Sequence, residues 1–449
     1  MYIMKEVAFH ANDIRGLYPK EIDENIAREV GFAFSHYMEA KKIFVARDCR
    51  LSSKSLSDSL IKGVIESGCD VIDLGLMDTP GLYFATGKYS SPGIMITASH
   101  NPPEYNGMIC VKPGALPIGG QELKDLKDYL HAPKSNKPGK VYNKDITKEY
   151  EKHVISQIKT KNLRPLHIVI DAGNGMAGKY AEDIFSNLPC KFIPLFFKQD
   201  GRFPNHLPDT AISSNLNKLM EKVKKENASF GVAYDGDADR ASFVDERGEI
   251  VPASCVASIF SENILKKIKG PIVHTALSSQ IVSETITKNG GTPLAEKIGH
   301  TFMKSRMRKE EAVFGAEESG HYYFKSNYYA DSGLISSLLM YEILSEEKKP
   351  LSVIASKFKK YYKPEGIEIR TSDRKEIAEK IKKWCESRGE NTKEEFDGIT
   401  YKYKDGWINV RASNTEPVVR INLESYDYSK GKNMELQLIT FIKSLRLKP

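Results

Sequence analysis

The run Thr97-Ala98-Ser99-His100-Asn101-Pro102 sets a hydroxyl nucleophile beside an imidazole, directly after the apolar run Ile94-Met95-Ile96. Proline confines the residue before it to extended backbone, so Asn101-Pro102 bars helix and ends the strand in a stiff polar loop. Ser99 is then expected at the sheet edge rather than in a core, presented on that loop with His100 beside it. The same letters also suit a turn held by local hydrogen bonds.

A second set follows the strand-like run Phe230-Gly231-Val232-Ala233-Tyr234: Asp235-Gly236-Asp237-Ala238-Asp239-Arg240. Carboxylates at i, i+2 and i+4 around a glycine turn three hard oxygens to one point, which suits magnesium. A calcium loop competes, with Glu246 at its twelfth position. But its sixth position is Arg240 instead of the required glycine, and a strand precedes it where a helix should stand. A solvated acidic turn is the plainer reading, and the density of carboxylates weighs against it.

Two further loops are suited to a sugar phosphate. In Ala316-Glu317-Glu318-Ser319-Gly320-His321, Glu317 and Ser319 lie two residues apart and offer an acceptor and a donor to vicinal hydroxyls. His321 titrates near neutral pH and could move a proton, although a Glu-Ser-Gly turn with a packed histidine fits as well. Arg411-Ala412-Ser413-Asn414-Thr415-Glu416-Pro417 combines a guanidinium, two hydroxyls, an amide and loop N–H groups, the makings of a phosphate cradle or of an ordinary hairpin turn. The glycine-rich Asp171-Ala172-Gly173-Asn174-Gly175-Met176-Ala177-Gly178 has neither dinucleotide nor P-loop spacing. It reads as a tight turn supporting the fold.

The elements that must hold these loops alternate. Helical patterns over 21–39 and 52–67 flank strands at 42–46 and 71–74, with a loop at Thr79-Pro80 before the Ser99 strand. A stretch rich in Pro, Lys and Gly at 131–140 reads as linker. Beyond it come helix 147–159, strand 166–170, helix 253–268, strand 272–274 and helix 279–288. Strand–helix alternation implies mostly parallel α/β sheets. Past Lys363-Pro364-Glu365-Gly366, a hinge by composition, strand-period runs at 367–370, 399–403, 407–410 and 418–423 join helices at 375–387 and 433–445 in an α+β unit. The implied division is 1–150, 151–252, 253–364 and 365–449.

Composition narrows the class. The chain has 449 residues, 40% hydrophobic and 28% charged, with 66 basic and 59 acidic residues interspersed to a net +7. That balance suits an enzyme of anionic metabolites better than a nucleic-acid binder, whose basic residues cluster. No apolar run approaches the roughly 18 residues of a membrane span, and residues 1–9 lack a secretory h-region. Six scattered cysteines without a C-x-x-C pair argue against zinc and disulfides, and for the cytoplasm.

Taken in order, the four loops resemble the α-D-phosphohexomutases, the phosphomannomutase/phosphoglucomutase family, over the whole chain. Asp13-Ile14-Arg15-Gly16 and Lys297-Ile298-Gly299-His300 match two further signatures. The resemblance implies three related mixed-sheet α/β domains plus a C-terminal α+β domain around a central cleft. It implies interconversion of hexose 6-phosphate and hexose 1-phosphate, of mannose and/or glucose, through a phosphoserine enzyme and a hexose 1,6-bisphosphate intermediate and activator. Ser99, His100, Arg15 and His321 would be catalytic. Glu317, Ser319, His300, Lys297, Arg240, Arg411, Ser413, Asn414 and Thr415 would bind substrate. One magnesium ion would sit on Ser99, Asp235, Asp237 and Asp239. Nucleic acid and membrane are not expected as partners, and the protein would act as a monomer or dimer in the cytoplasm.

Four positions depart from that family's pattern. Ala316 stands where glycine is usual, Ala412 where proline is commoner, and Asn12 where some bacterial relatives have tyrosine. After Asn106-Gly107 the family has an apolar residue and then lysine, whereas this chain has Met108-Ile109. On a strand Lys112 points away from Ile109, so Arg15 and His321 are expected to do the missing lysine's work. Two rivals remain. A phosphoglucosamine mutase is disfavoured by Asn414, where those relatives more often carry glycine. A non-catalytic sugar-phosphate-binding relative is motivated by Ile109 and opposed by Ser99 and the three aspartates.

Overall fold

The computed structural model describes residues 13–389, 391–412 and 418–445. Its strands form four sheets. In the first the order is Ile14–Leu17, Tyr105–Lys112, Gly93–Ile96, Lys42–Arg47, Asp70–Leu76 and Val141–Asn143, with Leu116–Pro117 pairing off Tyr105–Lys112. Gly93–Ile96 is buried along its whole length, parallel to Lys42–Arg47 and antiparallel to Tyr105–Lys112. Burial on both faces is why it reads as an unbroken apolar run.

The second sheet runs Ile250–Val251, Ala241–Asp245, Phe230–Tyr234, Leu166–Asp171, Cys190–Leu195. The third runs Thr292–Glu296, Pro271–Thr275, Phe314–Ala316, Tyr322–Phe324, Ala330–Asp331. All three mix parallel and antiparallel pairs. The fourth, Ile367–Arg370, Val418–Ser425, Gly406–Ala412, Ile399–Tyr403, Thr392–Glu395, is antiparallel throughout.

One apolar core runs from Phe44, Met95 and Ile109 on one face of the first sheet through the second sheet to Phe314 and Leu338 beside the third. The other face of the first sheet, with Ile94, Ile96, Met108 and Cys110, packs on helices Glu24–Tyr37 and Ser53–Glu66. The fourth sheet has its own core against helices Arg374–Glu386 and Tyr428–Ser444. This is the expected architecture of three α/β layers plus a separate β-rich unit.

Local expectations needed amending. Thr79-Pro80 is no loop but the first turn of helix Thr79–Lys88, where the Asp78 side chain accepts the Gly81 N–H. Proline is well placed there, because that N–H has no helical partner to lose. The last helix begins at Tyr428, capped by Asp427, and the helix opening at Thr147 stops at Ile155. Helix Gly333–Glu347 escapes a periodicity search because it is buried on nearly every side, so no polar stripe alternates with an apolar one. Among the described residues no helix is long and apolar enough to cross a membrane.

Candidate active site

Each sheet ends a strand at a cavity of about 1030 Å³. Gly93–Ile96 delivers Ser99 and His100, Phe230–Tyr234 delivers Asp239 and Arg240, Phe314–Ala316 delivers Glu317, Ser319 and His321, and Gly406–Ala412 carries Arg411. Arg15, Lys297 and His300 line the same space. Ser413, Asn414 and Thr415 lie outside the described residues, as does Asn12.

Ser99 is not at an open edge. It is 3% exposed, because the aspartate loop of the second sheet covers it. Its φ of +49° lies in the left-handed region, which costs a non-glycine residue roughly 1–3 kcal/mol and must be held by its surroundings. The Ser99 N–H donates to Thr97 Oγ1 at 2.9 Å, and that hydroxyl donates to Asp48 at 2.7 Å. The buried Arg50 guanidinium donates to the carbonyls of Ser99 (2.8 Å), Asn101 (2.5 Å), Pro102 (2.7 Å) and Tyr105 (3.1 Å). Asp48 balances its charge, 3.2 Å from Arg50 Nε. Arg15 donates to the Asn101 side chain at 2.6 Å and to Asp13 at 2.5 Å.

The Ser99 hydroxyl donates to Asp235 Oδ2 at 2.8 Å, and His100 Nδ1 lies 3.3 Å from Ser99 Oγ. Burial, then the Arg240 and Arg15 charges, hold His100 well below the usual histidine range, so its imidazole is neutral. A Cβ on Gly236 would lie 2.4 Å from the Ser99 carbonyl oxygen, so the two loops meet backbone to backbone only because that residue is glycine.

Asp235, Asp237 and Asp239 are 0%, 0% and 6% exposed, with one oxygen from each within 4.8 Å of the others. Asp237 Oδ1 and Asp239 Oδ1 are buried without a hydrogen-bond partner. Burial, then repulsion between neighbouring carboxylates, holds Asp235 and Asp239 well above the usual carboxylate range. Arg240 Nε, 3.5 Å from Asp235 and 3.9 Å from Asp239, offsets part of that charge. Buried carboxylates need pairing or a metal, and this all-oxygen set fits a hard divalent cation.

On the third sheet, Glu317 accepts from the Gly299 N–H at 3.1 Å and from the Tyr323 hydroxyl. His321 Nε2 lies 3.2 Å from Arg240 Nε and its Nδ1 lies 2.8 Å from Ser319 Oγ. A guanidinium only donates, so Nε2 accepts and the proton resides on Nδ1, facing Ser319. Burial and the Arg240 charge push His321 below its ordinary value, consistent with that neutral form. His300, at the start of helix His300–Lys309, is pushed down to about 3 by burial and the Lys304 ammonium.

Residues 6–137, 140–248, 253–361 and 355–440 match, in turn, the phosphoglucomutase/phosphomannomutase alpha/beta/alpha domains I, II and III and the C-terminal domain of that family. The chain belongs to the phosphoglucomutase/phosphomannomutase family. It is 35% identical to a phosphomannomutase of Escherichia coli, over 94% of this chain and 95% of that protein. To a phosphomannomutase of Methanocaldococcus jannaschii it is 36% identical, over 98% of each. A solved phosphoglucomutase/phosphomannomutase family protein from Burkholderia thailandensis superposes with a TM-score of 0.86 at 30% identity, covering 98% of each chain. The chain is accordingly an enzyme of the hexose-phosphate mutase type.

Ile109 lines the cavity and stands opposite Met95 in the sheet register. Lys112 does turn the other way, to an ion pair with Glu122, and does not line the cavity. Several residues of the site carry no local sequence signal. Thr79 donates its hydroxyl and its N–H to Asp237 and so braces the aspartate loop from the first sheet. The glycine-rich turn braces it from beneath: Met176 N–H donates to the Gly236 carbonyl at 2.9 Å, and a Cβ on Gly175 would lie 2.5 Å from that oxygen. Behind His321, buried Lys304 and Asp331 pair at 2.9 Å, with the Lys304 ammonium 3.5 Å from the centre of the Tyr83 ring.

Proposed function

We propose that this chain interconverts hexose 6-phosphate and hexose 1-phosphate, of mannose or glucose, through a phosphoryl group on Ser99 and a hexose 1,6-bisphosphate that never needs to leave the cleft. The observation that carries this reading is that Ser99, within 2.8 Å of Asp235, shares one cavity with Glu317, Ser319 and Arg411. A nucleophile, partners for sugar hydroxyls and a cation for phosphate thus face one another.

In the forward half, a free sugar hydroxyl attacks the phosphoryl group on Ser99. The oxygen–phosphorus bond to Ser99 breaks as the bond to the sugar oxygen forms, and the hydroxyl proton passes to a neighbouring base. After the bisphosphate turns around, Ser99 Oγ takes the other phosphoryl group and the sugar oxygen regains a proton. Glu317 and Ser319 hold hydroxyls presented alike in both orientations, while Arg411, with Ser413, Asn414 and Thr415, grips whichever phosphate is not reacting. Arg15, Lys297 and neutral His300 line the reacting end. Asp235, Asp237 and Asp239, with the Ser99 oxygen, would hold one magnesium ion, which when bound offsets charge on the transferring phosphoryl group.

His321 is the proton carrier in this reading. Its Nε2 is occupied by Arg240 at rest and becomes free to accept a proton when Arg240 turns to a substrate phosphate. We read 1–150, 151–252, 253–364 and 365–449 as the four units, each supplying one loop, with water excluded when the fourth closes. The relatives named phosphomannomutase support mannose as a substrate. A cytoplasmic setting suits six unpaired cysteines. A coupled assay with mannose 1-phosphate, glucose 1-phosphate and glucosamine 1-phosphate, primed with glucose 1,6-bisphosphate, tests the reading. Turnover of the first or second is expected. Turnover of glucosamine 1-phosphate alone, or of none, would overturn it.

A further inference from the structure

We infer that Asp397 is a positioning residue: it aims Arg411 into the cleft and ties that grip to the backbone turn that holds the sugar carboxylate, Glu317. The inference rests on the reading of Arg411 as a phosphate grip. Asp397 lies on the turn between strands Thr392–Glu395 and Ile399–Tyr403. Its own carbonyl is fixed by the buried Asn409 amide at 2.9 Å. Its carboxylate then points two ways. Oδ1 and Oδ2 lie 3.1 and 3.4 Å from Arg411 Nη1, and Oδ2 accepts the Ile298 N–H at 3.0 Å.

The next amide along, Gly299 N–H, donates to Glu317 Oε2 at 3.1 Å. Two consecutive N–H groups of one turn therefore bind two carboxylates, one from the sugar-facing loop and one from the fourth sheet. That sheet has a separate core, and this contact joins it to the third unit, as the Gln280 N–H donating to Glu424 at 3.0 Å does elsewhere. Both side chains of the ion pair are largely covered, Arg411 at 24% and Asp397 at 11% exposure, and charge-assisted hydrogen bonds are strongest when shielded. Arg411 also sits directly across from Arg420 in the strand register, where like charges repel. Glu368 holds Arg420 at 2.7 Å and Asp397 holds Arg411, so each guanidinium has its own carboxylate to fix its direction.

The test is a mutant cycle with hexose 1-phosphate as substrate. Asp397→Ala removes both contacts, while Asp397→Asn keeps the shape and an acceptor for Ile298 but withdraws the charge from Arg411. Should the alanine variant fail to fold, the asparagine variant carries the cycle. We expect KM to rise about tenfold for alanine and severalfold for asparagine. In an Arg411→Gln background asparagine should add no further loss and alanine only the smaller part owed to the Ile298 contact, since residues acting through one another are not additive. An unchanged KM for both variants, or the full rise recurring in the Arg411→Gln background, would overturn the inference while leaving the phosphate grip intact. If Arg411→Gln alone leaves KM unaltered, the grip itself is wrong and the inference falls with it.

Discussion

Ser99 and Asp235 sit at the ends of strands in two sheets that share no strand, yet their side chains meet at 2.8 Å. That contact is set by packing between units, with Gly236 against the Ser99 carbonyl and Thr79 against Asp237. Substitutions that loosen either support should therefore be felt at the reacting oxygen.

Arg50→Ala should cost about 3–5 kcal/mol of stability, because it strands Asp48 as an unpaired buried charge and frees four carbonyls of the Ser99 loop. Urea unfolding measures this. Arg50→Lys should recover only part of the loss, since an ammonium lacks the planar fork that reaches all four oxygens. A change below about 0.5 kcal/mol, ordinary for a surface site, would show that the loop is held by other means.

Asp237→Asn keeps the side chain's shape and the Thr79 contact but removes one charge from the acidic cluster. Magnesium affinity by calorimetry should fall at least tenfold, and kcat about 100-fold, a few kcal/mol of transition-state stabilisation. KM for sugar phosphate should move much less. Full activity in excess chelator would rule out the metal role.

His321→Ala should lower kcat by about 10²–10⁴-fold, the range of general acid–base help. Lys112→Ala should leave it near wild type, since that ammonium is spent on Glu122. Ile109 faces the cavity, so Ile109→Lys should hold or raise kcat and shrink the penalty of His321→Ala. Equal damage from Lys112→Ala and His321→Ala would contradict this assignment.

Gly175→Ala would press a methyl group onto the Gly236 carbonyl, a backbone atom that cannot rotate aside. Overpacking of this kind costs about 1–3 kcal/mol. Magnesium affinity should weaken along with thermal stability. A variant of wild-type stability whose sugar-phosphate binding alone is lost would instead make this turn a phosphate cradle.

What could be read from the sequence was local. Ser99 before a proline break, three aspartates around a glycine, and Glu317 with Ser319 and His321 each announce themselves within six residues. The strand–helix alternation of the first three units and the change to strand-period alternation beyond Pro364 were legible for the same reason; that alternation implied mostly parallel sheets, and the antiparallel pairs present in all three were not legible from it. Residues that act at a distance were not. Arg50, Thr79 and Asp397 look like ordinary polar residues until the fold carries them to carbonyls, carboxylates and amides far away in sequence. Lys304 and Asp331 look like solvated charges until a helix and a short strand bury them together. The burial of Ser99 was missed because covering it needs a second sheet, which the pattern around it does not reveal.

The central claim is that Ser99 carries the phosphoryl group, and phosphopeptide mapping by mass spectrometry tests it most directly. After incubation with hexose 1,6-bisphosphate, a single phosphoryl group should map to Ser99, and Ser99→Ala should lose both that group and nearly all turnover. Phosphate on another residue, or undiminished turnover by Ser99→Ala, would contradict the account.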